Sequence, residues 1–210
     1  MKYINFYHQF SPFGIVSLST IRKFHPTFDR RRLSEWQQKG YLIQLKREYY
    51  LFSGVALNKN LLFYIANQLN PHSYISLEAA LSFYQLVPEG VYLVTSVTSK
   101  KTNFYQTPIA AFKYQSGKRE SCIGCERRSF KLSSGLEVFF KIAKIEKAIL
   151  DYLYLHSELK NLADIEALRL NPATILQNLS KEKLLQLAGL FESKILIKKV
   201  NYFLKAAQLA

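Results

Sequence analysis

The chain has 210 residues, 49% of them hydrophobic, which is enough for a buried core in one large or two small domains. Its 29 Lys and Arg outnumber 15 Asp and Glu for a formal charge of +14, a balance that suits a polyanionic partner. The opening KYINFYHQF is too polar for a secretory leader, and no later stretch approaches the ~18 uninterrupted apolar residues of a membrane span. A cytoplasmic protein without a membrane partner is therefore expected.

Net charge is densest at the start, where residues 1–55 hold nine Lys and Arg against three acids. Ile4, Tyr7 and His8 recur at helical intervals until SPFG breaks the pattern. Ser17 or Ser19 caps a second short helix bearing Ile21 and Phe24, which Pro26 stops. A third helix is predicted from about Phe28 to Lys39, with Gly40 in the C-terminal position that favours left-handed backbone. YLIQL and EYYLF, joined through Lys46 and Arg47, read as a tight hairpin. Helix, helix, turn, helix, hairpin is the order of a winged helix-turn-helix.

Helical geometry sorts the third helix into two faces. Leu33 and Trp36 fall on one side, and Arg30, Arg31, Ser34 and Gln38 on the other. A helix that reads the major groove needs this division, because Arg reaches guanine O6 and N7, Gln reaches adenine N6 and N7, and Ser leaves room for close approach. Arg32 lies on the flank and suits a phosphate, and Ser19 at the start of the second helix joins the set. Lys46 and Arg47 at the hairpin tip are placed to meet the adjacent backbone or minor groove. An arginine run alone reads as a solvated basic face; the hairpin and the preceding helix together favour DNA.

From residue 56 to 117 charges are sparse. Leu61, Leu62, Ile65, Ala66 and Leu69 mark a packing helix that stops before Pro71. A second packing helix has Ser76 as its cap and ends at Pro88 and Gly90. VYLVTSVTS is a β-prone run whose partner is IAAFKYQ, across the polar link KKTNFYQTP. Lys100 and Lys101 in that link are either solvated or a further phosphate contact. Cys122 and Cys125 in SCIGCERR fall short of the roughly four ligands of a structural zinc site, so a turn with two thiols and no bound metal is expected.

RSFKL and LEVFF around SSG read as two more strands. In the following helix Ile145, Ile149, Tyr152 and Leu153 form an apolar arc, with Lys144, Lys147 and Asp151 opposite. Glu146 sits at the edge of that arc and needs a partner. The rest is read as three helices, one ending near Pro172, one from Ser180 to about Ser193 and one from about Lys194 to Gln208. The expected architecture is α+β: a winged helix-turn-helix over residues 1–55, then a mixed α/β domain over 56–210 with a small antiparallel sheet and C-terminal helices.

KGYLIQLKREYYLF, SYISLEAALSFYQLVPEGVY, TSVTSKKT and KIEKAILDYLYL, in this order and spacing, resemble the AbiEi-like antitoxins of type IV toxin-antitoxin and phage abortive-infection systems. The resemblance implies an N-terminal winged helix that binds operator repeats, and a C-terminal domain needed to neutralise a nucleotidyltransferase-like toxin. It carries the family's Glu-Lys-Ala…Leu-Asp motif onto Glu146, Lys147, Ala148, Leu150 and Asp151. The chain departs from the family at Glu48, where Gly is usual in the wing turn, and at Lys144 and Ile145, which replace a Thr-Pro or Ser-Pro.

The leading expectation is thus a repressor and antitoxin, monomeric or homodimeric, without cofactor, metal or catalysis. A stand-alone winged-helix regulator with a dimerising or ligand-sensing C-terminal domain is the alternative. A metal-dependent nuclease built on Glu137, Glu146 and Asp151 ranks below both, since no nucleophile arrangement or phosphate-cradling glycine loop is present.

Overall fold

A computed structural model describes residues 1–87, 93–117 and 123–209. The chain opens with α1 (Tyr3–Phe10), a 3-10 turn and β1 (Ile15–Ser17), followed by α2 (Leu18–Phe24) and α3 (Arg31–Gln38). β2 (Leu42–Lys46) and β3 (Tyr49–Phe52) then form the expected hairpin. β1 was not anticipated from the sequence. It pairs antiparallel with β3 and completes a three-stranded sheet in the order β1-β3-β2.

Local chemistry sets these boundaries. The Ser17 hydroxyl, rather than Ser19, caps α2 by accepting from the Thr20 amide at 3.0 Å. α3 starts later than expected, at Arg31, whose amide is held by the Asp29 carboxylate at 2.9 Å. It ends as predicted: Gly40 has φ 72°, its amide donates to the Gln37 carbonyl and that of Tyr41 to the Trp36 carbonyl. Phe6, Phe10, Ile21, Leu33, Trp36 and Phe52 form the aromatic core beneath.

The three-stranded sheet is covered on both faces. Val16 and Tyr50, opposite each other, join the aromatic core. Ile15 and Leu51, one residue along, pack with Leu45 into the larger core of the chain. That double coverage explains why the strand Tyr49–Phe52 reads as an unbroken apolar run.

The larger core is built on a second sheet. Its elements are α4 (Lys59–Leu69), β4 (Ser73–Ile75), α5 (Leu77–Phe83), β5 (Leu93–Thr98), β6 (Asn103–Gln106), β7 (Ala111–Ser116), β8 (Cys125–Lys131) and β9 (Glu137–Ala143). The helices α6 (Ile145–Leu155), α7 (Leu162–Glu166), α8 (Pro172–Asn178), α9 (Lys181–Gly189) and α10 (Lys194–Ala206) complete the chain. The architecture is α+β.

This sheet differs from the small antiparallel one expected. Its order is β6-β7-β5-β4-β9-β8, with β5 parallel to β7 and β4 parallel to β9. The two apolar runs predicted to pair do so, from Leu93↔Ala111 to Thr98↔Ser116, but in parallel. The reason is that the polar link contains β6, which takes the edge antiparallel to β7, so the chain turns back between β6 and β5. The expected stop at Pro88 and Gly90 and the thiol Cys122 lie outside the described residues.

α4 covers one face of the sheet, where the Tyr114 hydroxyl donates to the Ala66 carbonyl at 2.8 Å. α6 covers the other, and α9 and α10 pack on its far side. The first two turns of α6, Ile145 to Asp151, are consequently buried all round, including Lys147 and Asp151, which the sequence had assigned to an outer face. Asn171 caps α8 and Pro172 opens it, where a helix had been expected to end. Among the described residues, no helix is long and apolar enough to cross a membrane.

Candidate nucleic-acid interface

Leu33 and Trp36 fix α3 from below. The Trp36 ring lies 4.5 Å from that of Phe6 and 5.3 Å from that of Tyr3. With this side buried, Arg30, Arg31, Arg32, Ser34 and Gln38 are all exposed on the other. The face that the helical spacing predicts is the face the fold leaves open to solvent.

The members of this face differ in what engages them. Arg32 pairs with Glu35 at 3.2 Å, but both side chains are about half exposed, 50% and 49%, so the pair holds the guanidinium weakly. Among the described residues Arg30 and Arg31 make no ion pair. Ser19 is exposed, and its hydroxyl lies 2.8 Å from that of Ser17. Arg22 and Lys23, exposed in the last turn of α2, add two cations that the residue-by-residue reading passed over. Their signal was the charge density of residues 1–55.

The hairpin tip divides its two cations. Arg47 is exposed in the turn. Lys46, expected beside it as a phosphate contact, is instead turned toward the larger core: its ammonium donates to the Leu69 carbonyl at 2.5 Å and lies 4.3 Å and 4.8 Å from the Tyr49 and Tyr105 rings. The cause is the strand register, which shifts between Gln44 and Lys46. Glu48, where Gly would be usual, adopts φ 68°, so the turn keeps the left-handed residue and pays strain for it. Its carbonyl also accepts from the Leu18 amide at 2.9 Å, joining the turn to the start of α2.

Lys100 and Lys101 are exposed at the end of β5, in the other sheet. No protein-family model matches the chain, and a search of curated proteins finds no match.

The motif Glu146, Lys147, Asp151 is a core feature. Asp151 accepts from Lys147, from Ser76 Oγ at 2.7 Å and from the Tyr74 hydroxyl at 2.9 Å. Burial pushes its carboxyl up, and the Lys147 ammonium with the two hydroxyls pulls it down. Ser76, expected as the cap of α5, spends its hydroxyl here and makes no capping bond. Glu146 has the partner its position demanded, the Ser180 amide at 3.2 Å. Lys144 holds extended backbone before α6 and supplies no side-chain cap.

These carboxylates do not converge with Glu137, which is exposed at the start of β9 opposite Lys131. Among the described residues no group of three or more His, Cys, Asp and Glu is arranged to hold a metal ion. Chemically, the exposed assembly is a short rigid helix presenting guanidinium and amide donors outward, beside a hairpin with one exposed Arg. An α-helix is about 10–12 Å across with its side chains and the major groove about 12 Å wide, so the two fit.

Proposed function

We propose that residues 1–55 are a winged helix that binds duplex DNA, with α3 in the major groove and Arg47 on the adjacent backbone. On this reading Arg30, Arg31 and Gln38 contact bases, Arg32 and Arg22 contact phosphates, and the chain represses its own operon. The observation that carries the reading is the exposure of Arg30, Arg31 and Gln38 on a helix whose other side is locked by Leu33 and Trp36. The net charge of +14 supports it.

The likeness of the chain to AbiEi-like antitoxins extends the proposal: residues 56–210 counter a nucleotidyltransferase-like toxin. Two measurements test the two parts. In the first, the full chain is titrated onto duplexes tiling the DNA upstream of its operon, at fixed salt, beside Arg31→Ala. Sequence-specific binding that drops by about tenfold or more in the variant supports the reading, as loss of one bidentate base contact costs about 1–3 kcal/mol; equal binding by both proteins removes α3 from the interface. In the second, the chain is co-expressed with the neighbouring toxin, and cells that die as fast with the chain as without it reject the antitoxin role.

A further inference from the structure

Ile195, in the first turn of α10, is 72% exposed, more than any other large hydrophobic side chain among the described residues. It lines a groove of about 580 Å³ between α10 and the end of α6, together with the buried Leu153, Leu159 and Leu196. The groove is held in shape. Tyr154, on its wall, packs against Phe191 with ring centroids 5.2 Å apart. Lys199 is fixed at its base by donating to the carbonyls of Leu153 at 2.8 Å and His156 at 2.7 Å.

The charges that line the groove have one sign. Lys160 and Lys198 line it and are exposed, and no Asp or Glu is among its described lining residues. α10 itself carries four lysines and no acid. Glu158 and Glu192, next in the chain to the lining residues Leu159 and Ser193, are exposed but do not line it.

We propose that this groove docks an acidic amphipathic segment of a partner protein, which inserts apolar side chains against Leu153, Leu159, Leu196 and Ile195 and sets carboxylates on Lys160 and Lys198. Each half of the chemistry selects against another occupant. A nucleic-acid strand would use the lysines and leave the leucines uncovered. A second copy of this chain would bring the same lysines to the same place, and like charges oppose that. An amphipathic helix satisfies both halves, seating apolar residues at helical spacing in the groove with its acidic flanks over the lysines. The proposal is independent of the DNA reading, because α3 and its arginines take no part in it.

The test uses the full chain and a fluorescein-labelled synthetic helix of ~15 residues with Leu at positions i, i+3 and i+7 and Glu on the flanks. Fluorescence anisotropy should show saturable binding that weakens about fivefold or more in Ile195→Ser and in Lys198→Glu, and is unchanged in Lys2→Glu. Both substituted side chains in the groove are exposed, so matched thermal melts separate lost binding from lost folding. A charge-reversed peptide with Lys in place of Glu should fail to bind. Equal binding of that peptide overturns the proposal, as does unaltered affinity in Ile195→Ser. Self-association of the chain that Ile195→Ser abolishes would assign the groove to a second copy and overturn it too.

Discussion

Lys46 Nζ donates to the carbonyl oxygen of Leu69 at 2.5 Å, joining the hairpin beside α3 to the last residue of α4. That carbonyl is one of those a helix C-terminus leaves unpaired, and a cation there meets the negative end of the helix dipole. Burial lowers the Lys46 pKa, consistent with an ammonium drawn out of water. The bond therefore serves the contact between the two sheets. Lys46→Met should cost about 1–2 kcal/mol of unfolding free energy in urea melts and leave the salt dependence of DNA binding unchanged.

Arg47 is the converse case, exposed and one residue along in the same turn. If it lies on a phosphate, Arg47→Ala reduces the slope of log K against log salt by about one unit, while stability changes by no more than about 0.5 kcal/mol. Anisotropy titrations over a salt series separate the two lysine and arginine roles. A slope change in Lys46→Met as large as in Arg47→Ala would show that Lys46 also meets a phosphate.

Glu48 stands at φ 68° with no side chain suited to that backbone. A left-handed L-residue costs roughly 1–2 kcal/mol, whereas Gly adopts it without penalty but loses more freedom on folding. Glu48→Gly should therefore raise stability by up to about 1 kcal/mol, read as a higher Tm. The same change removes a carboxylate beside Arg47, so DNA affinity should rise slightly as well. A lower Tm in this variant would mean that the Glu48 side chain holds the turn in a way its backbone does not require.

Where the sequence was legible, local chemistry was strong. Helix faces followed the spacing of Leu33 and Trp36 and of Leu61, Ile65 and Leu69, and the Gly40 stop was visible as a residue type. The outward side of α3 was legible because an 8-residue helix with two buried anchors has only one other side. What escaped depended on distant partners. β1 and β4 have three residues each, too few for a period-two pattern, and exist because β3, β5 and β9 pair with them. The sign of a strand pairing is likewise absent from local pattern, so the β6 insertion went unread. Lys46 and Lys147 misled for one reason: a lysine inside a polar pattern reads as solvated until the carbonyl or carboxylate that receives it is known.

Lys147 and Asp151 are 2% and 3% exposed, and the four-residue spacing puts them on one side of α6. Removing one partner strands the other charge in the core, which costs about 3–5 kcal/mol, whereas removing both strands none. Lys147→Met and Asp151→Leu should each destabilise strongly. The double variant should be less unstable than the two losses combined by at least about 1 kcal/mol, although Ser76 and Tyr74 then lack their acceptor. Additive losses in chemical denaturation would mean that the ion pair is not the unit that holds this part of the core.

His156 ties the end of α6 to α5. Its Nε2 lies 3.4 Å from Glu78 Oε1, its Nδ1 lies 2.9 Å from the Tyr152 carbonyl oxygen, and its ring stacks on Tyr152 at 3.9 Å. With an acceptor at each nitrogen the imidazolium is favoured, and the hydrogen bond to Glu78 foremost raises the His156 pKa above 6.5. Burial pushes Glu78 up, but its bonds, that from His156 first, outweigh this and hold it below 4.5. The signs follow from linkage. The His156 contribution is complete below the unfolded value of 6.5 and is lost as pH rises through the higher folded value. That of Glu78 is present above 4.5 and is lost as pH falls through its lower folded value. The pair thus stabilises most between these limits. The stability difference between the native chain and His156→Gln should be largest at about pH 5.5 and shrink toward about pH 8. Urea melts across that range read it directly, and a difference that stays constant would show that His156 binds its proton equally well in the folded and unfolded protein.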